Sequence, residues 1–282
     1  MTSAINTNLA ALNTQQSLYR NQISQQTSME RLASGLRVNS AKDDAAGLAI
    51  ANSMTKQIRG MTVGIRNAND AVSMLQTTDG SLNSVSDMLQ RMRELAVQAQ
   101  NTGGITDSDK KKMNDEFQQL QKEIKRQVDD SSYNDRSILK GGLSHAVFQV
   151  GWNNSTTAQV SVHVQSLTTT SGLASVYSLG LSIGSSQTSA NLKTAVSTID
   201  TALKSIDSSR SILGAAQNRF LSSIASLQSS VTNLSAARSR IMDADFASET
   251  ANLSRAQILS QSATAMMVQA NQAPQAVLSL LR

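Results

Sequence analysis

The chain holds two histidines and no cysteine, so metal or nucleophilic chemistry would have to start from His145, His163 and the carboxylates. The histidines lie 18 residues apart, outside the HExxH and paired-Cys spacings that place ligands together in advance. No carboxylate cluster flanks them, and both read as water-facing residues of a β-hairpin. Asp43 and Asp44, in SAKDDAAG, are the adjacent carboxylates that acid/base work would call for. At a helix start, neighbours point in different directions, so capping and interaction with the helix dipole is the better reading. No catalytic, cofactor-binding or metal-binding residue is assigned on these grounds. No cofactor is expected, and the chain is not read as an enzyme.

Other motifs reduce to packing. GMTVG at 60–64 has the GxxxG form, but in an amphipathic helix it implies close helix packing, not membrane dimerisation. Sequons at Asn153, Asn154, Asn233 and Asn252 carry little meaning without a secretory signal. Met54, Met61, Met74, Met88 and Met92 at helical spacing read as core. The net charge is +5, yet the one tight basic run, Lys110 to Lys112, is flanked by Asp107, Asp109, Asp115 and Glu116. That pattern is a solvated helix face and not a nucleic-acid or membrane patch.

Any such residue must be held by long helices, because the composition permits little else. Aromatics are 3% and there is one proline, Pro274. Ala, Ser, Thr, Asn and Gln fill the space, which keeps helix propensity high and lets backbones approach. Charge is absent from residues 1–19, 141–192 and 256–281. A helix with one face in water normally carries charge there, whereas amide and hydroxyl side chains can be buried once hydrogen-bonded and ions cannot be buried cheaply. Both ends therefore read as segments surrounded by protein. The start lacks a basic region and an uninterrupted apolar run, so no Sec-type signal is expected, and no apolar stretch reaches membrane-spanning length.

Apolar residues recur at spacings of three and four, the mark of helices packed along a seam. Near the start these are Ile5, Leu9, Leu12, Tyr19 and Ile23. A series from Met54 to Ala96 fails only at Asp79, Ser86 and Arg93, and predicts a helix about 65 Å long. Gly103 and Gly104 stop it, and TDSD at 106–109 caps a second helix with Met113, Phe117, Leu120 and Ile124 on one face. A third series from Leu192 to Ile241 fails only at Arg210, Gln217 and Arg238. The last includes Leu253, Ala256, Ala263, Met267, Ala270, Val277 and Leu281, with Leu278 and Leu280 beside it, and Pro274 on this stripe implies a kink or restart. One region reads as β, a hairpin at about 146–164 turning at Asn153 and Asn154. Residues 166–189 read as an exposed connector. The expected fold is mainly α, a long antiparallel helical bundle or coiled coil with one β-hairpin region, the arms together at one end and the hairpin at the other. Two paired arms cannot cover all their uncharged faces, so further copies of the chain are the expected partner, in contacts that do not close on themselves.

NTNLAALNTQQSL at 6–18, SGLRVNSAKDDAAGLAIANSMTKQIRG at 34–60, LQRMRELAVQAQNTG at 89–103, LGAAQNRF at 213–220 and the ending QAPQAVLSLLR resemble bacterial flagellin over about 1–140 and 190–282. The resemblance implies a subunit that self-assembles into the helical flagellar filament used for motility, exported by the flagellum's own type III route and therefore extracellular. It implies residues 1–40 and 241–282 as the arms of an inner coiled-coil domain. Residues 41–190 and 191–240 would be the N-terminal part and C-terminal helix of a core domain. The short connector marks a minimal form without large variable outer domains. Implied partners are an export chaperone, the filament cap, hook–filament junction proteins and a vertebrate Toll-like receptor. Arg91, Leu95 and Glu116 match that receptor's contact positions, and their other reading is subunit contact and helix surface. Arm residues Ile5, Leu9, Leu12, Tyr19, Ile23, Leu253, Met267, Val277, Leu278, Leu280 and Leu281 carry self-assembly. A hook–filament junction protein is the alternative within this architecture, and a basic helical protein binding nucleic acid or membrane surfaces is the alternative from another class.

Overall fold

The computed structural model describes residues 7–101, 103–141, 144–163, 166–167, 171–177, 181–184 and 187–280, apart from the side chains of 171–172 and 273–280. In order, the elements are α1 (Leu9–Ser34), α2 (Ala45–Ala99), α3 (Asp107–Asp130), β1 (Ser132–Tyr133), β2 (Arg136–Ser137), β3 (Ala146–Gln149), β4 (Gln159–Val162), α4 (Ser171–Tyr177), α5 (Ser189–Met242) and α6 (Phe246–Leu280). The chain divides into two compact units, one of residues 1–57 with 232–282 and one of residues 58–231.

In the terminal unit, α1 begins at Asn8, whose side chain accepts a hydrogen bond from the Ala11 amide at 3.1 Å. It ends at Gly35 in the left-handed conformation, φ 70°, where a side chain would be strained. The chain then crosses to the end of α5: the Arg37 amide donates to the Met242 carbonyl and the Ala244 amide to the Gly35 carbonyl. Asp43 and Asp44 act as capping groups, as their positions imply. One Asp43 oxygen accepts from the Ser40 amide and hydroxyl and the Asn39 amide. The Ser40 hydroxyl above all holds the Asp43 carboxyl below its usual pKa. Asp44 accepts from the Gly47 amide at 2.8 Å. That cap starts α2 at Ala45, nine residues before the apolar series becomes regular at Met54.

In the central unit, α2 and α5 run antiparallel and are fixed by Arg210–Asp79 at 2.9 Å and Arg93–Asp200 at 2.7 Å. The core runs along them through Leu75, Leu82, Leu89, Met92, Leu213 and Phe220, joined by Phe117 and Ile124 of α3. The buried face of α3 is Phe117, Gln121, Ile124 and Val128, so a glutamine stands where the aliphatic stripe was expected to continue. Its amide donates to the Val176 carbonyl at 2.7 Å and the Leu181 carbonyl at 2.9 Å. Asn114 receives the Ser182 hydroxyl and the Ile183 amide. These bonds explain a departure from the sequence reading: where it is described, the 166–189 connector buries Leu167, Leu173, Val176 and Ile183. Polar α3 side chains satisfy its backbone, which allows it to enter the core.

The expected hairpin exists as β3 and β4, paired antiparallel from Ala146↔Val162 to Gln149↔Gln159. Its connection is not a tight Asn-Asn turn; residues 150–158 intervene and end in a 3-10 turn at Thr156–Ala158. Val164 lies outside the described residues. A second pair was not anticipated. β1 and β2 meet at Tyr133↔Arg136 around Asn134 and Asp135, at φ 50° and 60°, the signature of a two-residue type I′ hairpin. The glycines of GMTVG serve this region and not a helix–helix contact. A Cβ at Gly60 would sit 2.7 Å from the Trp152 Cβ, and one at Gly64 would strike the Val150 carbonyl. The strand connection lies directly on α2. Helix α6 continues through Pro274 without a restart.

Candidate self-assembly surface

Helices α1 and α6 are antiparallel neighbours. Asn8 donates to the Ala270 carbonyl at 2.8 Å, Ser28 donates to Glu249 at 2.6 Å, and Leu36 bridges Asp243. The seam of α1 is Ala11, Thr14, Leu18, Asn21, Gln25, Ser28 and Leu32, with Thr27 and Arg31 sheltered beside it. That of α6 is Glu249, Leu253, Ala256, Ser260, Ala263, Met267 and Ala270, with Thr250 and Asn252 sheltered beside it. Both sets follow the 3-4 alternation of a coiled-coil seam, although four of the seven α1 residues are polar. Glu249 is buried, bonded to Ser28 and 3.7 Å from Arg31.

The two predicted arm stripes fall on different faces. Leu253 and Met267 lie in the seam. Leu9, Leu12, Tyr19 and Ile23 do not: Leu9 is 68% and Tyr19 65% exposed, with Leu12 and Ile23 also open. They precede or follow seam positions by two residues, about 200° around the helix. The first apolar stripe is therefore the outer face of α1, and its seam mixes Leu18 and Leu32 with small and polar residues that periodicity alone passes over. On α6, Ile258, Leu259, Met266 and Val268 are also exposed, so apolar residues surround that helix. Ile5 and Leu281 lie outside the described residues, as do the side chains of Val277, Leu278 and Leu280.

Arg91 and Glu116 are held together across α2 and α3 at 2.8 Å, with Glu94 3.1 Å from the same guanidinium. Glu116 first, then Glu94, raises the Arg91 pKa. Leu95 is 1% exposed and belongs to the core, so it lies beneath that charged surface and not on it. Among the described residues no helix is long and apolar enough to cross a membrane.

A helix pair with few charges, which closes one seam and leaves apolar residues on its other faces, defines a class: helical subunits completed by neighbouring chains. Comparison with known proteins agrees. The profile described as the bacterial flagellin N-terminal helical region matches residues 5–143, and that of the bacterial flagellin C-terminal helical region matches residues 196–281. Flagellin of Halalkalibacterium halodurans is 42% identical over 278 residues, 99% of each chain. Flagellin A of Vibrio cholerae is 32% identical with both chains fully covered, but across 380 aligned positions. That exceeds this chain of 282 residues by 98, so the longer relative carries segments with no counterpart here. A crystal structure of Bacillus cereus flagellin aligns with 61% of this chain and 94% of its own at 26% identity, TM-score 0.48. The chain belongs to the bacterial flagellin family. It is a structural subunit of the extracellular flagellar filament used for motility, in a form without a large variable domain.

Proposed function

We propose that α1 and α6 are the polymerising elements, with one face of each spent on their mutual seam and the other closed by neighbouring copies in an open helical homopolymer. The observation that carries this reading is the exposure of Leu9, Leu12, Tyr19 and Ile23 beside Ile258, Met266 and Val268 in arms almost empty of charge. Each such side chain gains roughly 1.5 to 3 kcal/mol when covered. Residues 1–40 and 241–282 then form the inner domain, and 41–190 with 191–240 the core domain. The structure divides the chain at 57/58 and 231/232, the same two-part order with a terminal unit that takes in more of α2 and α5. The side chains of Val277, Leu278, Leu280, Leu281 and Ile5, assigned to assembly from the sequence, lie outside what the structure describes. The arms order fully only on assembly, because isolated helices are marginal in water; this restrains growth in the cytoplasm. By family resemblance, an export chaperone, the filament cap and hook–filament junction proteins engage the subunit along its route. A Toll-like receptor reads Arg91 and Glu116, which remain partly exposed, with Leu95 supporting them from beneath.

The test is seeded growth. Leu12→Glu and Ile258→Glu add a charge on the outer face without touching the seam. Each is expected to leave monomer unfolding within about 0.5 kcal/mol of the parent and to raise the critical concentration for elongation at least about tenfold, since burying an unpaired charge costs several kcal/mol. Sedimentation and negative-stain microscopy give both readouts. Ordinary filaments at the parent concentration from both variants would remove the assignment.

A further inference from the structure

We propose that His145 and His163 together form a two-imidazole site for a divalent transition-metal ion of the copper, nickel or zinc type. Sequence spacing alone separates these residues, but the strand register reunites them. The Ala146↔Val162 pairing, carried one step beyond the ladder, sets His145 opposite His163 at the open end of the β3–β4 hairpin. Their ring centroids are 5.4 Å apart at an interplanar angle of 73°. Directly opposed side chains on one face of an antiparallel pair are the closest cross-strand neighbours. Both rings lie on the outward face with Val147 and Ser161, while Ala146 and Val162 point into the core.

A second observation concerns protonation. The His163 Nδ1 hydrogen-bonds the Ser144 carbonyl oxygen. A carbonyl can only accept, so Nδ1 carries the proton and the neutral ring keeps its lone pair on Nε2. A backbone carbonyl on the other ring nitrogen is the usual partner that fixes a ligating histidine. The His145 Nδ1 lies 3.4 Å from the Ser144 hydroxyl, so one residue restrains both rings.

The surroundings select the ion. The cleft beside His163 is lined by Thr201, Lys204, Ser205 and Ser208 and offers no carboxylate. Among the described residues no trio of His, Cys, Asp or Glu is grouped for a metal. Water completes the coordination. Hard ions that need several anionic oxygens find nothing here, and the Lys204 ammonium beside the cleft works against them further. Imidazole suits copper, nickel and zinc, with copper(II) bound most tightly among them.

The test is titration of the full-length monomer with copper(II) chloride in a weakly coordinating buffer at pH 7.5, read by calorimetry and electron paramagnetic resonance. With two histidines and no cysteine in the chain, imidazole ligation can come from nowhere else. The expected result is one ion per chain and a spectrum showing two nitrogen ligands. His145→Gln and His163→Gln should each weaken binding at least about tenfold, because losing either ring ends chelation, and the double variant should lose it. Both side chains face water, so circular dichroism should show unchanged folding. No saturable binding by the parent, binding that survives in the double variant, or dependence on only one histidine would each overturn the proposal.

Discussion

At the residue scale, two glycines in the same helix face opposite constraints. Gly64 lies under the Val150 carbonyl, whereas nothing approaches within 4 Å of a Cβ built at Gly80. Gly64→Ala must push the strand connection off α2, against backbone that cannot rotate away, and is expected to destabilise the monomer by roughly 1 to 3 kcal/mol. Trp152, which rests on Gly60, should report the shift by fluorescence. Gly80→Ala removes only the helix penalty of glycine and is expected to stabilise by about 0.5 to 1 kcal/mol. Urea unfolding of the two variants checks both signs, and a loss of stability at Gly80 would show that its surroundings are misjudged. The chemistry of single residues was legible in part. Asp43 and Asp44 were readable as caps because capping is local. The role of GMTVG was not, because the segment that needs those glycines lies some 90 residues away and has no helical period to announce it. The NDR turn between β1 and β2 did carry a signal, since Asn and Asp tolerate positive φ, but strands of two residues offer no alternation to frame it.

At the element scale, the breaks in the apolar series hold the most information. Asp79 and Arg93 interrupt α2, and Arg210 interrupts α5. The structure pairs Asp79 with Arg210 and sets Arg93 against Asp200. The exceptions thus fix the register of two helices whose apolar stripes would permit sliding by a heptad. Asp79→Arg and Arg210→Asp should each destabilise the central unit, and the combination should recover most of the loss, giving a coupling of about 0.2 to 1 kcal/mol for a partly exposed pair. A double-mutant cycle measures it; additive losses would mean that the charges do not set the register. The phase of α2, α3 and α5 was legible for the same reason, since long periodic segments repeat their evidence every turn, while the start of α2 at Ala45 is set by the Asp44 cap and not by the stripe. The partner of each stripe was not. Four of the seven α1 seam residues, Thr14, Asn21, Gln25 and Ser28, are polar, and a count of apolar residues passes over them. The 166–189 connector was misjudged similarly, because its burial depends on Gln121 and Asn114 of another element.

At the scale of the whole molecule, the distribution of charge separates folding of the monomer from growth of the filament. Ion pairs described in this chain cluster on the central helices and at the Glu249 end of α6, while residues 1–19 and 256–281 carry none. If the arms join copies through apolar and hydrogen-bonded contacts, salt has few attractive charge pairs to screen across that surface. Raising sodium chloride from about 0.05 to 0.5 M shortens the Debye length from roughly 14 to 4 Å, yet it should not raise the critical concentration for seeded elongation. A strongly excluded salt such as sulfate should lower it, because exclusion strengthens apolar burial. Temperature provides the complementary readout: association that covers the outer stripes of α1 and α6 should show a large negative heat-capacity change, and Leu12→Glu, by keeping that face wet, should diminish it. Light scattering across the salt series and calorimetry of elongation measure both quantities. A critical concentration that climbs steeply with sodium chloride would place the cohesive contacts among the charged residues of the central unit, and the uncharged arms would then need another explanation.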